Sequence, residues 1–186
     1  MIKYSYTTVK GNLFMAEKEK YLECGKIINT HGVRGNVKIE SWCDSLEVFC
    51  SLPCIYVEKK SGFVKYDITS ASVHKGCALV KLEGVNDMDA AMLLKNKIVY
   101  ADRELIPIDE GAVFIVDMIG LDVFNTKSGE RLGKLTDIFE SVASDIYVIK
   151  TDEGKEVMVP GVDEFIDEID LDRGVFISPI PGMFED

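Results

Sequence analysis

Long apolar runs are missing from this 186-residue chain. No stretch approaches the roughly 20 apolar residues that cross a bilayer, and the opening MIKYSYTTVKGNLF lacks the continuous apolar core of a secretory signal. The expectation is a soluble, cytoplasmic protein with no membrane attachment. Histidine is scarce: His31 and His74 are the only two, and neither lies beside a serine or cysteine in a recognisable nucleophile turn. GxGxxG and the P-loop pattern are both absent, which argues against a nucleotide site. The five cysteines, Cys24, Cys43, Cys50, Cys54 and Cys77, are odd in number and irregular in spacing, so no disulfide framework is expected. Cys50 and Cys54 in CSLPC lack the second Cys or His pair that a zinc finger or ribbon needs. Free structural thiols, with neither metal nor cofactor, are the expectation.

Positive charge is also lacking, but in one half only. Residues 1–100 carry 14 Lys and Arg against 11 Asp and Glu, a balance of +3, whereas residues 101–186 carry 7 against 21, a balance of −14. Non-specific nucleic-acid affinity comes from cations that displace condensed counterions, so the second half should repel a phosphate backbone and prefer a basic partner. Its aromatic residues are not interleaved with Lys or Arg, which leaves a base-stacking platform unsupported there.

What is present is a series of short strands. Residues 1–20 show no steady period and read as a tail or upstream extension, with Met15 an equally suitable start. From Tyr21, the stretches YLECGKIIN, NVKIESWC, CIYVEK, VKYDITSASVH, CALVKLEG and IVYA read as six strands. NDMDAAMLLKNK reads as one helix, with Asn86 or Asp87 as cap, Asp89 in its first turn, and Ala90 and Leu94 on one face. So many short strands in residues 21–101 favour a closed barrel, which removes exposed edges. Residues 102–112 read as a linker, because the charge balance changes there and Pro107 and Gly111 interrupt any pattern. Residues 113–186 read as a second all-β unit, with strands IGLDVFN, RLGKLTDIF, DIYVIK, EVMVP and GVFISPI. VDEFIDEIDLD fits both a helical turn and a strand.

The loop HGVRG, His31–Gly35, precedes a strand, so no helix N-terminus is available there to hold an anion. His31 and Arg34 are expected at an exposed tip, with Gly32 and Gly35 permitting positive φ. His74 reads as an ordinary turn residue. The acidic run Asp163, Glu164, Asp167, Glu168, Asp170, Asp172 lacks the ligand order and central glycine of a calcium loop and reads as a solvated or partner-facing surface. Two barrels without apparent chemistry suit an adaptor, since rigid strands position recognition loops.

GKIINTHGVRGNVKIES (residues 25–41), GVNDMDAAMLLKNKIVY (residues 84–100), VDMIGLDVFNTKSGERLGKLTDIF (residues 116–139), DIYVIK, VMVP, EIDLD and the closing PGMF resemble, in that order, the RimM family of bacterial ribosome maturation factors. The resemblance spans Tyr21 to Phe184. It implies an all-β chain with an N-terminal six-stranded barrel and a C-terminal PRC-type barrel. It further implies a monomeric, non-enzymatic assembly factor that binds the small ribosomal subunit through ribosomal protein uS19 of its head and supports 16S rRNA processing. The N-terminal domain could contact the rRNA. The residues expected at the subunit contact are His31, Gly32, Arg34 and Gly35, from the loop's own exposed His and Arg, together with Val113, Phe114 and Asp117, from the resemblance. Val113 and Phe114 stand where the family commonly has two tyrosines, ahead of Asp117-Met118-Ile119-Gly120, so both hydroxyls are lost. Phe114 reads either as an apolar anchor or as a core residue. Two alternatives stay open: an RNA-modifying or RNA-cleaving enzyme with a site between the domains, and a membrane-associated PRC-type adaptor.

Overall fold

A computed structural model describes residues 19–108, 112–141 and 143–185, and the backbone of residues 4–6. The expectation about Met15, most of the tail at 1–20 and residues 109–111 of the linker lie outside the described residues. The chain divides into two compact units between Ile108 and Asp109, with the strand at Tyr4–Tyr6 counted in the second.

Taken in chain order, β1 is Tyr4–Tyr6, and the first unit then holds β2 (Tyr21–His31), β3 (Asn36–Ser41), α1 (Leu46–Ser51), β4 (Cys54–Lys59), β5 (Gly62–His74), β6 (Cys77–Leu82), α2 (Met88–Met92) and β7 (Ile98–Asp102). A single 3-10 turn follows at Arg103–Leu105. The six strands from β2 to β7 close into a barrel in the order β2-β3-β6-β5-β4-β7. Alternation produces its lining: Val37 and Ile39 are fully buried, while Glu40 is exposed. Closure needs strands that bend, and the bends fall at bulges near Gly25 and Asn29 in β2 and near Ser70 in β5. The 13-residue β5 serves two neighbours, pairing β4 with its first half and β6 with its second.

Helix α1 was not expected. At six residues it is too short to show a period, yet Ser45 caps it by accepting from the Val48 N–H at 3.2 Å, and Phe49 is fully buried. Burying such a ring contributes on the order of 2–3 kcal/mol. Asp87 caps α2 through the Ala90 N–H at 2.8 Å. The helix stops at Met92, short of the expected Ala90 and Leu94 face, and its buried residues are Ala91 and, in the turn beyond it, Leu94. All five cysteines are free thiols, with Cys24, Cys54 and Cys77 buried.

The second unit holds β8 (Ala112–Phe114), α3 (Ile115–Met118), β9 (Asp122–Asn125), β10 (Arg131–Glu140), β11 (Asp145–Lys150), β12 (Glu156–Pro160), β13 (Ile166–Asp170) and β14 (Gly174–Ile177). Strands β1 and β8 pair antiparallel, Tyr4 opposite Phe114. The other six form one sheet in the order β12-β11-β10-β9-β14-β13, in which only the β14 and β9 pair is parallel. Its core is built from Met118, Leu135, Tyr147, Ile149, Ile169 and Ile177 among others. VDEFIDEIDLD satisfies both of its patterns in succession: one hydrogen-bonded turn, Ile166 N–H to Val162 carbonyl at 2.9 Å, leads into the strand Ile166–Asp170.

Candidate functional site

His31 ends β2 and Asn36 opens β3, so residues 32–35 form the turn between them. Gly32 (φ 67°) and Gly35 (φ 75°) both adopt the left-handed region that side chains avoid. They differ in surroundings. Gly32 faces open space, whereas a Cβ on Gly35 would lie 2.5 Å from the Val85 carbonyl oxygen and 2.8 Å from that of Asp87. Gly35 is therefore buried against the segment leading into α2.

Lys81, on β6, fastens that contact. Its ammonium donates to the Arg34 carbonyl at 2.7 Å, to the Val85 carbonyl, and to Asn86 Oδ1 at 3.5 Å. The backbone of the loop is thus tied to the barrel, while the side chains of Val33 and Arg34 are exposed. Among the described residues nothing pairs with the Arg34 guanidinium.

His74 stands beside a turn, as expected, and it also makes a contact that the sequence did not show. Its ring lies 5.4 Å from that of His31, tilted by 57°, so the two histidines of the chain meet although 43 positions apart in sequence. His74 stands at the end of β5, before a tight turn in which Lys75 (φ 49°) and Gly76 (φ 77°) are left-handed, and its carbonyl accepts from the Cys77 thiol at 3.0 Å. Beside the loop, α2 packs on β2 and β3 and leaves Met88, Met92 and Leu93 exposed, Leu93 at 79%. These apolar residues were missed, and their signal was the helix face left over once Ala91 and Leu94 turned inward.

Val113, Phe114 and Asp117 belong to the second unit. Val113 and Phe114 are buried, at 7% and 5% exposed, and Val113 joins the core cluster. Of the two readings open for Phe114, anchor or core residue, its burial favours the core one, in a strand that pairs with β1 and leads into α3. Asp117 is half-buried in the first turn of α3.

The acidic run is only partly a surface. Asp170 is 2% exposed and accepts from the N–H groups of Asp172 (2.9 Å) and Arg173 (3.0 Å), closing the turn before β14. Asp167 accepts from the hydroxyls of Thr126 and Ser178, the latter at 2.7 Å. Asp163 and Glu164 remain exposed. Elsewhere on the unit, Arg131 bridges Asp122 (2.9 Å) and Asp152 (2.6 Å), and the hydrogen bonds from Arg131 and then Lys134 hold the Asp122 carboxyl below its ordinary range. Among the described residues no group of three or more His, Cys, Asp or Glu is placed to hold a metal ion, and no helix is long and apolar enough to cross a membrane.

Comparison with known proteins matches both units. Residues 22–106 match the RimM N-terminal domain, and residues 115–183 match the RimM PRC barrel domain. The chain is 34% identical over 171 residues to the ribosome maturation factor RimM of Acetivibrio thermocellus, covering 90% of this chain and 98% of that protein. It is 35% identical over 173 residues to that of Clostridioides difficile, covering 92% and 100%, respectively. A crystal structure of a Pseudomonas aeruginosa protein described as 16S ribosomal RNA processing protein RimM aligns at 21% identity and a TM-score of 0.44, covering 86% of this chain and 98% of that one. With both domains matched in order over most of its length, the chain belongs to the RimM family of ribosome maturation factors.

Proposed function

We propose that this protein is a monomeric, cytoplasmic, non-catalytic assembly factor for the small ribosomal subunit. In this reading its acidic second unit engages a basic ribosomal protein, uS19 of the subunit head, and its His31–Gly35 loop touches 16S rRNA in support of processing. The observation that carries the reading is the loop itself. Lys81 and Gly35 fix its backbone while the Arg34 guanidinium stays exposed. A fixed backbone lowers the ordering cost of binding, and a guanidinium matches a phosphate in a bidentate fork. The paired His31 and His74 rings add hydrogen-bonding nitrogens beside it, suited to phosphate or ribose oxygens. Met92 and Leu93 offer apolar contact for a protein neighbour.

The second unit supports the protein half of the reading through charge, 7 basic against 21 acidic residues from position 101 onward. Electrostatic complementarity mainly accelerates encounter, so added salt should reduce the association rate with uS19 more than it raises dissociation. The test measures binding of the full chain and of Arg34→Ala to purified uS19 and to bare 16S rRNA across a salt series. The substitution should leave uS19 binding unchanged. Equal affinity of the Arg34→Ala chain for bare rRNA and for uS19 would overturn the assignment of partners.

A further inference from the structure

Three strands of the first unit repeat one short pattern, a tyrosine two residues ahead of a carboxylate. Tyr21 and Glu23 lie on β2, Tyr56 and Glu58 on β4, and Tyr100 and Asp102 on β7. Residues two apart on a strand share a face. The intervening Leu22, Val57 and Ala101 are buried in the barrel, so the six point outward. Register sets them side by side: Tyr100 is opposite both Glu23 and Tyr56, and Glu58 is opposite Phe63 of β5.

The rings form a continuous chain. Centroids are 4.4 Å apart for Tyr21 and Tyr56, 4.7 Å for Tyr21 and Phe63, and 4.9 Å for Phe63 and Tyr100, and Phe63 is 41% exposed. Carboxylates edge this surface. Glu23 lies 3.4 Å from the Tyr100 hydroxyl, and among the described residues neither Glu23 nor Glu58 has an ion pair. The chain itself already seats one cation here: the Lys20 ammonium lies 5.3 Å from the Tyr21 ring centroid and 3.8 Å from the Asp102 carboxylate.

We propose that this outer aromatic face is a docking site for a cationic peptide segment, an arginine side chain lying over the Phe63 and Tyr100 rings with Glu23 and Glu58 as its counter-charges. An aromatic face attracts a cation through its quadrupole, and a planar guanidinium sheds water and stacks more readily than an ammonium. The carboxylates add Coulomb attraction and repel phosphate, which favours a basic protein segment over an RNA strand. The phenols respond to the same surroundings. Burial first, and then Cys54, Tyr21 and Asp102, push Tyr56 up to about 12, while burial and then Glu23, Glu58 and Glu19 raise Tyr100. The site shares no residue with the loop at His31–Gly35 and stands or falls separately from the reading of that loop.

The test titrates the full chain with a capped Arg-Gly-Arg-Gly-Arg peptide, with its lysine counterpart and with an eight-nucleotide single-stranded RNA, following the aromatic NMR signals of Tyr21, Phe63 and Tyr100. These signals report this face alone, so peptide held on the acidic second unit does not register. The arginine peptide should shift all three signals saturably and bind more tightly than the lysine peptide. The double variant Glu23→Gln, Glu58→Gln should lose at least fivefold in that local affinity, and Phe63→Leu should lose a similar factor at an unchanged melting temperature. If Phe63→Leu lowers the melting temperature, the charge variant decides. Unshifted ring signals at peptide excess, equal affinity in the charge variant, or larger shifts with RNA than with peptide would each overturn the proposal.

Discussion

The Lys81 ammonium lies 2.7 Å from the carbonyl oxygen of Arg34, so the residue that exposes its guanidinium is held by its own backbone. Lys81 also donates to the Val85 carbonyl, which ties the loop to the segment that starts α2. Replacing it with methionine keeps the apolar stem but leaves these acceptors without their donor. Lys81→Met should cost about 1–2 kcal/mol in urea denaturation, in line with loss of a charge-assisted hydrogen bond at a half-exposed site. It should also raise backbone mobility at residues 31–36, read by NMR relaxation. A loop as ordered as in the unaltered chain would show that Lys81 does not fasten it.

The two loop glycines should respond differently to the same change. Gly32→Ala meets only the cost of a left-handed backbone, on the order of 1 kcal/mol, because open space surrounds it. Gly35→Ala meets that cost and a collision with the Val85 and Asp87 backbone, and should cost about 2–4 kcal/mol. Paired melting curves check the order. Equal losses would mean that the loop does not rest on the segment before α2.

Much of the architecture was legible in alternation. Val37 and Ile39 set against Lys38 and Glu40 marked β3 and its inward face, while β4, β5 and β6 were marked by short strand-forming runs between breaks at Pro53, Ser61-Gly62 and Lys75-Gly76. The meeting of His31 and His74 was not legible, because it arises from the curvature of the sheet carrying β2, β3, β6 and β5, a property of closure and bulges that no local pattern states. Helix α1 was hidden by its length, and its buried Phe49 looked like any aromatic in a short apolar stretch. Phe114 could be read as anchor or core. It lies buried in a strand whose partner is more than 100 positions earlier, at Tyr4–Tyr6, a pairing that no local pattern states. The Tyr-x-carboxylate repeat on β2, β4 and β7 was present in the sequence, but its meaning required the strand order that makes those three neighbours.

Acid should act on the second unit through Asp122. Hydrogen bonds from Arg131, and then from Lys134, lower its folded pKa below the ordinary carboxylate value, so the folded state favours the charged form. Its stabilising contribution is therefore present above the unfolded pKa, near ~3.9, and is lost as pH falls through the lower folded value. Asp122→Asn should destabilise the chain at pH 6 and make little difference at pH 2, with both measured by urea denaturation. A gap of the same size at both pH values would assign the effect of the substitution to packing.

Co-sedimentation with native small ribosomal subunits, with large subunits and complete ribosomes as controls, tests most directly whether the loop at His31–Gly35 is a contact surface of an assembly factor. The unaltered chain should travel with free small subunits alone. Arg34→Ala should lose about tenfold in that association, matching removal of one charge-assisted contact, at an unchanged melting temperature. Undiminished co-sedimentation of a folded Arg34→Ala chain, or equal association of the unaltered chain with large subunits, would contradict the account.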